Sequence, residues 1–242
     1  MTNDKIALVT GANKGIGKEI ARQLGELGHT VVIGSRDLAR GEAAAKELVA
    51  DGLRAEAVQL EVTSEQSVQA AATAIEREHG RLDVLVNNAA IIPDGDAAVS
   101  AIAAGALRAA YETNVIGVVL TTAAMLPLVR KAAGARIVNI SSELGSLTRV
   151  GDPESEMSTM LMLGYNSSKA AVNMVTVMLA NELRGTGILV NAADPGNCAT
   201  DMGGWDALRT PAQGAAVAVR LATLDAAGPT GELHAESGRL PW

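Results

Sequence analysis

Short apolar runs separated by longer stretches of helical periodicity recur along nearly the whole chain, and few architectures accept that alternation. Runs at 6–10, 30–34, 54–59, 82–87, 135–140, 188–192 and 231–234 read as strands: most are rich in Val, Ile, Leu and Ala, and all are too short for helices. Between them, segments 15–27, 40–51, 64–79, 102–131, 164–184 and 211–223 carry apolar residues at helical spacing. Strand and helix in strict turn predict βαβ units: one α/β domain over residues 1–242, a seven-stranded parallel sheet with helices on both faces. Punctuation agrees, since Ser64 opens a Ser-Glu-Gln-Ser capping pattern and Gly28, Gly52, Gly80 and Gly185 follow the last helical residues. The stretch 141–163, with Gly-Asp-Pro-Glu-Ser-Glu at its centre, is expected to be an extended loop beside the sheet.

Hydrophobic residues make up 48% of the chain but aromatics only 2%, which predicts a core of aliphatic side chains. With 20 basic against 27 acidic residues, nucleic acid and anionic membrane surfaces are poor partners, and a small molecule is expected instead. No apolar stretch of spanning length runs free of charge and glycine, so no membrane segment is expected. Cys198 is the single cysteine, which excludes a disulfide within the chain. Together with the lack of room for a signal segment before the first apolar run, this predicts a cytoplasmic location. His29, His79 and His234 are scattered and no Cys or His pair has metal-ligand spacing, so no metal site is expected.

In a doubly wound sheet the ligand lies beyond the carboxyl ends of the strands. The first strand ends in Thr10-Gly11-Ala12-Asn13-Lys14-Gly15-Ile16-Gly17 and runs straight into a helix, a turn whose small residues let backbone amides approach a pyrophosphate. The second strand closes on Ser35-Arg36, where an acid would otherwise meet a ribose 2′-hydroxyl. A guanidinium there, with Lys14 in the glycine turn, suits a 2′-phosphate and predicts NADP(H) over NAD(H).

Further motifs follow in order: NNAA at 87–90, Asn114 within Thr-Asn-Val, IVNISS at 137–142, YNSSK at 165–169, and DPG at 194–196 followed by Thr200. On these residues the chain resembles the short-chain dehydrogenase/reductase family over nearly its whole length, in its carbonyl-reductase-like branch. The resemblance implies a Rossmann-type sheet of order 3-2-1-4-5-6-7, NAD(P) binding, and the catalytic group Asn114, Ser142, Tyr165 and Lys169. It also implies cofactor contacts from Gly11, Asn13, Lys14, Gly15, Ile16, Gly17, Ser35, Arg36, Glu61, Val62, Asn88, Ala89, Ala90, Pro195, Gly196, Cys198 and Thr200, besides Tyr165 and Lys169. Three departures stand out. Ala90 replaces a glycine and must tolerate that backbone conformation, Glu61 replaces the aspartate that meets the adenine, and 23 positions separate Ser142 from Tyr165. That long approach, with a small lid at about 197–210, is expected to shape the substrate pocket, for which Glu143, Leu144, Asn197, Met202 and Trp205 are the candidate walls. The pocket is expected to be apolar and to suit a ketone, an aldehyde or the corresponding alcohol.

A phenol of ordinary pKa near 10 is a poor base at neutral pH. Lys169 stands one helical turn beyond Tyr165, where its ammonium is expected to favour the phenolate and hold the nicotinamide ribose. Tyr165 is then the proton donor to a carbonyl, Ser142 bonds the same oxygen, and Asn114 anchors a water chain that refills the proton through Lys169. Two other functions fit the same motifs: an acyl-thioester ketoreductase, against which the acidic stretch 152–156 argues, and an NADP-binding sensor or scaffold without turnover. Relatives pair through the helices at about 102–131 and 164–184, so a homodimer or tetramer is expected, or a monomer if the insertion covers that surface.

Overall fold

The apolar runs pair side by side, and the inner ones are too apolar to face water on either side. In the computed structural model, which describes residues 5–242, they are β1 (Ile6–Thr10), β2 (Thr30–Ser35), β3 (Ala55–Gln59), β4 (Val84–Asn87), β5 (Arg136–Ile140), β6 (Leu189–Ala193) and β7 (Leu233–Ala235). An eighth strand, β8 (Gly238–Leu240), extends the sheet to the order β3-β2-β1-β4-β5-β6-β7-β8. All neighbours are parallel except β7 and β8. Seven strands were expected; the eighth is three residues of Gly-Arg-Leu returning from a tight turn, with no apolar run to announce it. Residues 1–4, which the sequence assigns to the stretch ahead of the first strand, lie outside the described residues.

The helices are α1 (Gly15–Glu26), α2 (Leu38–Ala50), α3 (Glu65–His79), α4 (Ala104–Tyr111), α5 (Gly117–Val129), α6 (Leu147–Gly151), α7 (Leu163–Glu182) and α8 (Pro211–Ala222). Side chains alternate across each strand, so β1 sends Ala7 and Val9 to one face and Ile6 and Leu8 to the other. The first face packs with Ile20, Leu24, Leu48 and Ala218 of α1, α2 and α8. The second packs with Ile75, Met125 and Leu179 of α3, α5 and α7. Strand order reverses between β1 and β4, which opens a crevice at their carboxyl ends.

Two local expectations change. The helix expected at 102–131 is broken by a π turn at Glu112–Ile116, which sets α4 and α5 apart and carries the buried Asn114. The stretch 141–163 is no extended loop: it holds 3-10 turns at Glu143–Gly145 and Glu156–Thr159 with α6 between them. Ser142, Ser146 and Ser155 each cap the turn that follows, accepting from Leu144, Arg149 and Met157 amides respectively. Residues Ala104–Val129 are long and apolar enough by length and composition to cross a membrane, but Gly105, Arg108, Glu112 and Gly117 interrupt the apolar run. Their inner face, with Val118, Met125 and Leu128, is buried in the protein itself.

A ladder of amides ties the layers below the crevice. Asn87 and Asn139 are register partners on β4 and β5, and Asn87 Nδ2 donates to Asn139 Oδ1 at 2.8 Å and to Thr122 Oγ1 at 2.9 Å. Asn139 Nδ2 donates in turn to Thr176 Oγ1 at 2.9 Å, so α5, the sheet and α7 are joined through one chain of bonds. Replacing Asn139 by Ala leaves the buried Asn87 Nδ2 without one acceptor and Thr176 Oγ1 without its donor, and is expected to cost about 1–3 kcal/mol. That corresponds to a fall of roughly 2–4 °C in Tm per kcal/mol at this chain length. Calorimetry on the variant checks it, and an unchanged Tm contradicts the role given to the ladder.

Candidate active site

The glycine turn after β1 forms a cradle that side chains would fill. Gly11 (φ +64°) and Gly15 (φ +57°) adopt left-handed backbone, and a Cβ on Gly17 would stand 2.4 Å from Asn88 Nδ2. Asn88 cannot move aside freely, since its Nδ2 donates to Thr10 O at 2.8 Å while its own amide and that of Ala89 both donate to Thr10 Oγ1 at 2.9 Å. The NNAA stretch is thereby stapled to the end of β1. Asn13 and Ile16 stand half-buried in the same turn. Ala90 carries no strain, because no described residue other than glycine has positive φ.

Around this cradle the charged candidates take different positions. Arg36 is exposed and its guanidinium has no partner among the described residues, whereas Lys14 pairs with Asp201 from the 197–210 segment. Both members of that pair are largely exposed, so the contact is weak and displaceable by a stronger anion. Ser35 is buried and donates its hydroxyl to Asp37 O at 2.7 Å. Glu61 turns its carboxylate back onto Thr63, accepting from the amide at 3.3 Å and the hydroxyl at 3.0 Å, while buried Val62 packs against Gly117. Thr200 lies against Gly15, its Cγ2 3.5 Å from where a Cβ would be. Pro195 is buried and Gly196 turns the chain at φ +69°. Cys198 is buried, its sulfur packed onto Gly214 of α8 and against the Pro195 carbonyl at 3.4 Å, and burial pushes the thiol up, away from nucleophilic use. The donor set, an open glycine cradle with a free guanidinium beside it, fits an anionic dinucleotide.

Helix α7 lies over the end of β5 and brings the remaining candidates together. A Cβ on Gly145 would meet the Lys169 backbone at 2.6 Å, so glycine there permits the close approach. Ser141 points inward and donates to Asn173 Oδ1 at 2.6 Å, whereas Ser142 hydrogen-bonds Tyr165 through its side chain. Lys169 is only 2% exposed; its Nζ donates to Ile140 O at 2.8 Å and stands 5.4 Å from the centre of the Tyr165 ring. Asn114 is buried, exchanges bonds with both backbone groups of Ile91 at 2.8 and 2.9 Å, and donates to Ser168 Oγ at 3.0 Å. Its side chain is thus joined to Tyr165 through Ser168, and no direct hydrogen bond links it to Lys169 among the described residues.

Electrostatics here differ from the expectation that Lys169 lowers the phenol. Burial pushes Tyr165 up to about 12, the Asp194 charge adds to the rise, and the Ser142 bond opposes it. Burial pushes Lys169 down to about 8, with Asp194 opposing. Desolvation wins in both because α7 seals the pair against β5, which residue spacing does not reveal. Asp194 itself was not singled out from the sequence. It is buried, its own pKa is raised mainly by burial, and its carboxylate accepts from the Gly196 and Glu143 amides. Only its place before Pro-Gly marked it, and that motif directs attention to backbone.

The candidate substrate walls split by depth. Glu143 pairs with Arg149 of α6, and Leu144 is half-buried, while Asn197, Met202 and Trp205 stand exposed on the 197–210 segment. That segment is drawn together by bridges between Cys198 and Arg209 and between Thr200 and Gly204.

Known proteins resemble this chain in sequence and in fold. The sequence model of the family described as short chain dehydrogenase matches residues 5–207. The chain is 34% identical over 279 residues to carbonyl reductase [NADPH] 1 of Sus scrofa, covering 100% of this chain and 95% of that protein. It is 37% identical over 224 residues to a short-chain dehydrogenase of Penicillium roqueforti, covering 90% and 88%. Among solved structures, an actinorhodin polyketide ketoreductase with NADPH superposes with TM-score 0.84 at 30% identity, covering 98% of this chain and 97% of that one. Salutaridine reductase from Papaver somniferum superposes with TM-score 0.82 at 27% identity, covering 95% and 99%.

The cradle makes a direct prediction. A Gly17→Ala side chain would displace Asn88 from Thr10 and is expected to weaken NADPH binding by at least about tenfold. Calorimetric titration measures it, and affinity equal to that of the parent chain contradicts the placement of the dinucleotide.

Proposed function

The chain belongs to the short-chain dehydrogenase family of oxidoreductases, and from that premise we propose that it reduces a ketone or aldehyde to an alcohol, reversibly, with NADPH. The observation that carries this is the convergence of Ser142, Tyr165 and Lys169 at the end of β5, beside the glycine cradle. When bound, the nicotinamide supplies the hydride. Gly11, Gly15 and Gly17 would admit its pyrophosphate, and Arg36 would meet the 2′-phosphate that distinguishes NADPH from NADH.

The chain's own residues supply the proton. Tyr165 keeps its proton at rest, since burial holds the phenol up at about 12, and it is therefore an acid awaiting a stronger base. An oxygen that accumulates negative charge beside it is such a base, and Ser142 bonds the same oxygen to hold it in line. As the proton leaves, the Lys169 ammonium beside the ring stabilises the developing phenolate. That assistance exists only while Lys169 is charged. Its pKa is pushed down to about 8, so the cation is present below that pH and lost above it.

The exposed acids Asp152, Glu154 and Glu156 beside the approach make a poor dock for the phosphate of an acyl carrier and support a free carbonyl compound as substrate. The intact Tyr165 and Lys169 support turnover over a sensing role. For assembly we infer a homodimer through α7, where Met174 and Met178, one turn apart, are each 61% exposed. Light scattering at twice the 24.7 kDa chain mass supports it, and the chain mass itself contradicts it.

A panel of ketones and aldehydes assayed with NADPH and NADH in parallel tests the activity. NADPH consumption is expected; no consumption of either cofactor contradicts the reaction, and preference for NADH contradicts the role of Arg36. Tyr165→Phe is expected to bind NADPH within about twofold of the parent chain while losing turnover by at least about a hundredfold. In the reductive direction kcat is expected to fall as pH rises through about 8, as Lys169 discharges, whereas a rate that climbs across that range contradicts its assistance.

A further inference from the structure

The amides at the start of α7 are held by a residue far away in sequence. Asp96 Oδ1 accepts from the Gly164 amide and Oδ2 from the Tyr165 amide, each at 2.7 Å, and the next carbonyl, Ala97 O, accepts from Leu163 at 3.0 Å. Two consecutive residues thus satisfy the first three amides of a 20-residue helix whose preceding residue, Met162, offers no side-chain cap. Room for the carboxylate depends on Gly164, where a Cβ would stand 3.1 Å from Asp96 Oδ1. A carboxylate with both oxygens on helix-start amides is favoured by charge and dipole alike.

We propose that Asp96 is a positioning residue for the reaction: its carboxylate fixes the first turn of α7 and so sets where the Tyr165 hydroxyl stands relative to the cofactor cradle. This rests on Tyr165 as the proton donor. The segment that carries Asp96 begins at the cradle itself. Asn88 and Ala89 are stapled to Thr10, Ile91 is bonded through both backbone groups to Asn114, and Asp96 and Ala97 then grip α7. A second strut reaches the same turn, since Asn114 donates to Ser168 Oγ and Ser168 donates to Tyr165 O at 2.7 Å. The tyrosine is therefore located from the cradle by two routes of hydrogen bonds. Asp96 is the only side chain that binds the tyrosine's own amide among the described residues. An ordinary helix cap would contribute stability alone. A clamp on the residue that carries the reacting hydroxyl also governs rate, because small displacements of a reacting group are costly.

The test uses the full chain with Asp96→Ala and Asp96→Asn, the latter keeping one accepting oxygen. Hydrogen exchange across residues 160–168 is followed without cofactor, and kcat and NADPH affinity are measured well below each variant's Tm. Asp96→Ala is expected to speed exchange at Gly164 and Tyr165 by at least about tenfold. It is also expected to lower kcat by about a hundredfold while NADPH affinity stays within about twofold, with Asp96→Asn intermediate in both. A folded Asp96→Ala with parental kcat, or one whose kcat and NADPH affinity fall together, overturns the proposal. Where Asp96→Ala does not fold, parental exchange and kcat in Asp96→Asn overturn it equally. If the parent chain reduces no carbonyl compound, the reaction assigned above fails, and unchanged exchange in the variants separately defeats the clamp.

Discussion

A lysine ammonium almost fully removed from water is the constraint around which the site is arranged. An isolated buried cation costs several kcal/mol even after relaxation, so Lys169 can stand where it does only with compensation on every side. That compensation comes from the Ile140 carbonyl at the end of β5, from the buried Asp194 beyond β6 and from the face of Tyr165. Each imposes a structural demand. The carbonyl requires α7 to lie against the strand end, which Gly145 permits by lacking a side chain. The carboxylate requires the Asp194-Pro195-Gly196 turn to close over the same point, tied there by the Glu143 and Gly196 amides.

The parts that do chemistry and the parts that choose a substrate have different physical character. Ser142, Tyr165, Lys169 and Asn114 belong to strand ends and helices whose polar groups are paired by buried bonds. The segments flanking the approach instead expose apolar side chains: Leu147 and Leu161 before α7, Trp205 and Leu208 after β6. Loops with exposed apolar surface on a rigid frame are where specificity resides. The frame is held in turn by the Asn87, Asn139 and Thr176 ladder, which couples sheet and α7 beneath the site.

What the sequence makes legible is local. Alternating periodicity predicted the parallel sheet and its order of elements, and Gly28, Gly52, Gly80 and Gly185 all take the positive φ that follows a helix end. The motif residues were found because each is marked by immediate neighbours: Ser142 by Ser141 and Gly145, Tyr165 by Lys169. Contacts between distant segments were not legible. Asp96 meets Gly164 across 68 positions, and no short-range signal connects them. Nor does spacing report desolvation. Four residues put Lys169 beside Tyr165, but the sense of the phenol's shift depends on how tightly α7 packs on β5, so the expected lowering became a rise. The serines of 141–163 carried a capping signal that the acidic, proline-containing centre obscured.

Packing sets the charge state of Lys169, with Asp194 the one opposing charge that acts on it among the described residues. Labelling lysine side chains with ¹⁵N and following the Lys169 Nζ resonance through a pH titration tests that most directly. A midpoint near 8 is the predicted result, and a midpoint at the ordinary 10.5 would contradict the account.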